Sequence, residues 1–600
     1  MTITEFTPKA TSEAGLPART VVEHQGLCYF PKREPWNRHR PVKVIITGAG
    51  IGGIACAILI SHKVRNATIQ VYDRLSKVGG TWAANVYPGV RCDVPSHSYQ
   101  LSFEPNLDWS EYYPKGAEIQ KYYERVVAKY GLTENFRLQH EVLKAEWQPN
   151  ESQWEVEVRD LRTGKIVVDH ADFFISSQGR ISEPRIPSIP GLRDTFKGEV
   201  IHTARWPKDF NHSRKRLAVI GNGASGQQLI PNIINDVAHI DHYVRSKTWV
   251  TPTFAADLFS AKAGQPGGPR YSEEERKKFH DDPQAYLEHR RKLELAFHHQ
   301  LRGGEDLLGS QANEELRSKI TQVMLERLGG DEEWLARVIP DYAPGCKRLT
   351  PAPGYLESLK DPKLDYITEG ISHVIETGIV TKDGKVHEVD AILTATGFKQ
   401  GFTTLFPVVG KDGVDLRDKW APGGEIGYPE TYLGVMAPGY PNYFTVLQAQ
   451  GNARGGPAPL QIELTATYIA KCIRKVQSQS YVSLDPREDA VREFNDIVNG
   501  YFLNSVTNDK CTSWFKQGPG AARVLIAWPG SYHHRADTLR DPRWEDFEFK
   551  RSRDARHNRF EFFGNGSTEK EKKGDHRELT SYLKPVGDID LATLHEAWNE

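Results

Sequence analysis

At 600 residues the chain is too long for a single hydrophobic core, so two or three domains are expected. Lys+Arg 77 against Asp+Glu 78 leaves a net charge of −1, which argues against nucleic acid or an anionic membrane surface as partner. The cysteines, Cys28, Cys56, Cys92, Cys346, Cys472 and Cys511, form no CxxC pair, and reduced thiols in an intracellular, cytoplasmic protein are expected rather than a disulfide framework.

Residues 1–40 are polar and proline-bearing and read as an extension. From Val42 to Ile60 the chain has only one charge, but four glycines within six residues break the run, so strand, turn and buried helix are expected instead of a membrane span. Thr68 to Asp73 reads as the second strand, 154–158 with 166–170 as a small hairpin, and 171–179 as a returning buried strand. The same pattern repeats at 216–226 and 239–246. Residues 272–338 are charged and helical in period, 389–398 and 439–448 read as further buried strands, and the tail is rich in charge.

Gly48-x-Gly50-x-x-Gly53 follows a strand and opens a helix, as a dinucleotide fingerprint requires. The first glycine permits the turn, the second lets backbone approach a pyrophosphate, and the third lets helix pack on strand, with the helix N-terminus facing the phosphates. Asp73, 25 residues after Gly48, suits a ribose hydroxyl pair. Gly221-x-Gly223-x-x-Gly226, with Ala224, Ser225 and Gln227 in the same turn, is the second copy. There Arg245 occupies the matching position 24 residues on, followed by Ser246 and Lys247, and basic residues favour a 2′-phosphate. One acidic-ended and one basic-ended site together point to FAD plus NADPH, with hydride passing to a resident flavin.

Between the two copies lies Phe196-x-Gly198-x-x-x-His202-x-x-x-Trp206-Pro207, and upstream stands Gly79-Gly80-x-Trp82, then Tyr87-Pro88-Gly89, then Asp93. Both strings resemble the fingerprints of type I Baeyer–Villiger monooxygenases, and the resemblance spans roughly 40–530, including Ala395 to Phe398 and Cys346 to Arg348. It implies an α/β fold of two Rossmann-like domains, the NADP domain inserted in the FAD domain, plus a helical subdomain. The expected limits are 41–180 with 386–540 for FAD, 181–385 for NADP with a helical insert at about 255–345, and a tail from 541. It also implies oxygenation of a ketone, bulky and cyclic if the small Ala83-Ala84 pair leaves a roomy pocket, to an ester or lactone through a C4a-peroxyflavin. A sulfur- or nitrogen-oxygenating relative is the alternative.

The resemblance assigns catalysis to Arg348 and Asp93, since developing negative charge needs a fixed cation and Arg stays charged. It assigns flavin contacts to Asp73, Thr81, Trp82, Asp93 and Tyr99, and NADP contacts to Arg91, Cys92, Lys347 and the Gly221 loop. Trp514 resembles a tryptophan near the nicotinamide. His202 and Trp206 are expected to couple domains rather than to do chemistry. Partners are then a small-molecule ketone and O2, with a monomer or weak oligomer expected. No metal is expected, because His298-His299 and His533-His534 lack partner spacing.

Overall fold

The computed structural model describes residues 34–36, 39–255, 269–298, 304–399, 404–517, 522–553, 558–574, 576–581, 583–585, 587–588 and 590–591. The expected N-terminal extension therefore lies almost wholly outside the described residues, as do Cys28 and parts of the helical insert. Two compact units result. One runs Arg40–Gln477 with Val482–Lys550, and the other joins the two termini and Ser478–Tyr481. In the terminal unit Trp36 bridges to Thr568, and Thr568 forms a capping box with Glu571 at the start of the short helix Glu569–Lys573. None of the described helices is long and apolar enough to cross a membrane.

The larger unit contains two parallel five-stranded sheets of like design. The first is ordered Tyr443–Thr445, Phe173–Ser176, Val42–Thr47, Ala67–Asp73, Phe136–Leu138. Ile45, Phe174 and Tyr443 on one face meet a four-stranded sheet containing His140–Gln148 and Gln153–Asp160, with the fully buried Trp154 between them. The Trp154 indole N–H donates to the Pro441 carbonyl at 2.9 Å. Truncating it to Ala would cost about 3–5 kcal/mol. The anticipated hairpin thus belongs to a larger sheet, whose strand His140–Gln148 is too mixed in pattern to stand out.

The second sheet is ordered Leu364–Ile367, His239–Tyr243, Arg216–Ile220, Ala391–Thr394, Glu199–His202. Alternation sends Leu217 and Val219 to a core with helix Ala224–Ile233. Ala218 and Ile220 face a core shared with the small antiparallel sheet Ile371–Ile375, Gly378–Thr381, Val386–Glu388. Ala391–Thr394 pairs with strands on both sides here, so a return to the first sheet at 386 is too early. That return comes at Tyr443–Thr445. The charged segment between strands His239–Tyr243 and Leu364–Ile367 of this second sheet forms helices Glu273–Asp281, Pro283–His298, Gln311–Arg327 and Glu332–Val338.

The connector from Phe196 becomes the edge strand Glu199–His202 and one 3-10 turn, Thr203–Arg205. A Cβ on Gly198 would lie 2.4 Å from the Asp390 carbonyl and 2.7 Å from the Phe196 ring, so only glycine fits. His202 Nε2–H donates to the Gly397 carbonyl at 3.0 Å, and its Nδ1 accepts from the Ala204 amide at 3.1 Å. That pair of bonds requires the neutral Nε2–H tautomer, and burial lowers the pKa in the same sense. Trp206 packs edge-on against Phe210.

Candidate active site

Each sheet presents its glycine turn at the C-terminal edge of its strands, where ligands of open α/β sheets bind. In the first, Gly48 has φ +101°, and a Cβ there would lie 2.3 Å from the Ser177 carbonyl. A Cβ on Gly53 would lie 1.9 Å from the Gly48 carbonyl. Helix Ile51–Lys63 starts at Gly50 with no side-chain cap, leaving its first amides for a phosphate. Asp73 Oδ2 accepts from the Ala49 amide at 2.6 Å and Oδ1 from the Leu75 amide at 2.7 Å, with lone pairs left over for a ribose. Burial raises its pKa against the pull of those amides.

The Gly79-Gly80 pair packs on this turn. Gly80 has φ +54°, and its Cβ would come 2.7 Å from Gly50 Cα, so backbone slides over backbone. Thr81 and Trp82 open the short helix Thr81–Ala84 that follows, and Trp82 meets Tyr99 edge-on with centroids 5.6 Å apart.

The second turn repeats the arrangement. Gly221 has φ +119° and its Cβ would lie 2.5 Å from the Ala395 carbonyl, while that of Gly226 would lie 2.3 Å from the Gly221 carbonyl. Helix Ala224–Ile233 starts at Gly223, again uncapped, with no atom within 4 Å of where its Cβ would stand. Ser225 follows in the first turn, and buried Gln227 accepts from Thr350 Oγ1 at 2.7 Å. Arg245 and Ser246 follow strand His239–Tyr243, and Arg245 is exposed. Lys347 stands close enough to Arg245 to feel its charge. Burial, then Arg245, pushes the Lys347 amine down to about 8. These cations, the uncapped helix ends and the open cradles fit FAD in the first fold and NADPH in the second.

Where the folds meet, Arg348 Nε and Nη2 donate to Asp93 Oδ2 and Oδ1 at 2.8 and 2.7 Å, a two-pronged bond between residues 255 apart. The Arg348 side chain is 47% exposed, and the Asp93 charge beside it holds the guanidinium even more firmly protonated than usual. Asp93 shares a crevice with Arg91, Cys92, Ala224 and Gln227. Arg91 is itself neutralised by Glu111 at 2.8 Å, and burial raises the Cys92 thiol out of reach of ionisation at neutral pH.

Arg180 is a component that sequence reasoning missed. It follows strand Phe173–Ser176, and its guanidinium carbon sits 5.5 Å from the Trp514 ring centroid. Its Nη1 is buried without a hydrogen-bond partner. Burial, then the Arg348 charge, lowers its pKa to about 10. The only available hint was its place just past the end of a parallel strand. Trp514 also stacks edge-on with Phe515, centroids 4.7 Å apart, and the Gly518–Gly520 end of its loop lies outside the described residues.

The cysteine expectation needs correction. Cys346 and Cys511 form a disulfide with Cα atoms 6.2 Å apart, while Cys56, Cys92 and Cys472 are free and buried. The two partners are separated by 165 residues, so no spacing rule exposes a pair that the fold alone brings together.

Residues 46–115 match the NAD(P)-binding Rossmann-like domain family. The chain is 34% identical to the FAD-binding monooxygenase tazF of Aspergillus terreus over 542 residues, covering 89% of this chain and 94% of that protein. It is 33% identical to a Baeyer-Villiger monooxygenase of Streptomyces coelicolor over 505 residues, covering 82% of this chain and 90% of that protein. Among solved structures, cyclohexanone monooxygenase from Rhodococcus sp. Phi1 bound to NADP+ superposes with a TM-score of 0.73 at 26% identity, over 85% of this chain and 100% of that one. With two Rossmann-like folds, both fingerprints and relatives of this extent, the chain belongs to the type I Baeyer–Villiger monooxygenases and is an FAD- and NADPH-dependent flavoprotein enzyme.

Proposed function

We propose that this enzyme converts ketones, with bulky cyclic ketones as the preferred class, to esters or lactones beside Arg348 and Asp93. The observation that carries the reading is the two-pronged Arg348–Asp93 pair, which sets a permanent cation where the two cofactor folds meet. When bound, FAD supplies oxygen activation and NADPH the reducing hydride.

The chain's own residues then have distinct tasks. Arg348 faces the negative charge that develops on the carbonyl oxygen, and Asp93 fixes its orientation so that little reorganisation is needed. Arg180, just past a strand of the first sheet, adds a second positive charge 5.5 Å from the Trp514 ring centroid. Arg245 and Lys347 take the 2′-phosphate of NADPH, with Ser246 alongside, while the Gly48 and Gly221 turns seat the pyrophosphates. Asp73 takes the FAD ribose, and Thr81, Trp82 and Tyr99 border the flavin. Ala83 and Ala84, which end the short helix after Trp82, support the bulky-substrate choice by their size.

Purified FAD-loaded enzyme, given NADPH, ¹⁸O2 and a panel of open-chain, monocyclic and polycyclic ketones, should yield esters or lactones carrying one ¹⁸O by mass spectrometry. Turnover of sulfides with no product from a ketone of any size would sink the proposal.

A further inference from the structure

Strand His239–Tyr243 alternates its side chains, so His239, Asp241 and Tyr243 share one face. Its parallel neighbour pairs Asp365 with Asp241, placing both carboxylates on that face. On the other side the register partner is Ala218, whose methyl leaves room. Strand Val386–Glu388 of the small sheet contributes His387, whose ring meets Tyr243 edge-on. His239 Nε2 lies 3.4 Å from Asp241 Oδ1 and 3.3 Å from Asp365 Oδ2, and His387 Nδ1 lies 3.7 Å from Asp241 Oδ1.

These separations exceed the roughly 2.7–3.2 Å of a hydrogen bond. The two that involve His239 match the edge of a tetrahedron, about 3.3–3.4 Å when ligands stand 2.0–2.1 Å from zinc. Asp241 is 1% exposed, yet its Oδ2 has no partner, and the Tyr243 hydroxyl on the same strand face has none either. A buried carboxylate oxygen without a donor calls for a cation to satisfy it. Arg216, the neighbouring cation, donates to the Glu388 carbonyl at 3.0 Å.

We propose that His239, Asp241 and Asp365 bind a divalent cation suited to mixed nitrogen and oxygen donors, zinc first, with water completing the tetrahedron. The ion would staple the edge strand Leu364–Ile367 to the strand that leads into Arg245. It stands upstream of the glycine turn on the sheet face opposite helix Ala224–Ile233, so its role is structural. The expectation of no metal rested on spacing, whereas these ligands are 2 and 124 residues apart and meet only through strand register.

Full-length FAD-loaded enzyme is stripped with EDTA, dialysed against zinc sulfate, desalted and assayed by inductively coupled plasma mass spectrometry. The wild type should hold about one zinc per chain, with less than about a tenth of that in Asp241→Asn. Asp365→Ala, changed at an exposed side chain that the fold tolerates, should lose at least about fivefold in zinc content. Retained FAD and an unaltered circular dichroism spectrum certify each variant's fold, and if Asp241→Asn fails that check Asp365→Ala decides alone. A wild type that holds no stoichiometric zinc, or zinc unchanged in folded variants, overturns the proposal.

Discussion

The two glycine turns share one backbone device and differ in what stands beside it. In both, the first glycine lies against the carbonyl just past the third strand, Ser177 or Ala395, and the third lies against the carbonyl of the first. They part at the end of the second strand. The first turn has an aspartate braced by two amides, the second an exposed arginine reinforced by a lysine from a distant loop. They also differ at the middle glycine, where Gly50 is covered by Gly80 and Gly223 faces open space. Steric necessity therefore explains what the two share, and charge explains how they are told apart.

That contrast can be broken at its base. Gly53→Val, forcing a side chain onto a carbonyl 1.9 Å from the Cβ site, should yield protein without FAD and without any turnover. Gly226→Val should keep its yellow flavin absorbance while NADPH no longer reduces it. If both variants lose FAD alike, the turns do not serve separate cofactors. Next in size, Arg348→Ala should lower ester formation by about 10²–10³-fold. NADPH should still bleach the flavin in that variant, because the cation joining the folds is gone but the hydride route is intact. Stopped-flow absorbance separates the two steps.

Smaller effects sharpen the distinction of charge. Arg245→Ala should raise the KM for NADPH about 10-fold or more, as loss of a charge-assisted contact does. The KM for NADH should stay put, so the cofactor preference narrows. Lys347 supplies the mildest test. Its amine is lowered to about 8, so it is charged below that pH and neutral above it. A phosphate binds the charged form, hence the KM for NADPH should climb about threefold between pH 7 and 9 while that for NADH stays level. A flat profile would remove Lys347 from the phosphate site.

How much of this could be read beforehand follows from where each constraint is written. The glycine turns were legible because their steric demands fall within six residues. Asp73 and Arg245 were legible because a second strand ends at a fixed distance from the turn. Arg348 and Asp93 are 255 residues apart, so their juxtaposition came only from resemblance to a family, not from any local pattern. Arg180 sat unnoticed in a string that reads as an ordinary strand end. The assignment of Ala391–Thr394 failed because a buried parallel strand looks the same whichever sheet it joins. The disulfide and the His239 cluster escaped for the same reason, since both are products of register and chain return.

The Cys346–Cys511 link has a mechanical consequence. Cys346 stands two residues before Arg348, and Cys511 three before Trp514. With 6.2 Å between the bonded residues and at most about 3.6 Å of reach per residue, Arg348 and Trp514 cannot separate by more than about 24 Å at their Cα atoms. The bond thus sets a ceiling on how far the backbone carrying Arg348 can stand from the backbone carrying Trp514, and a reductant would lift that ceiling.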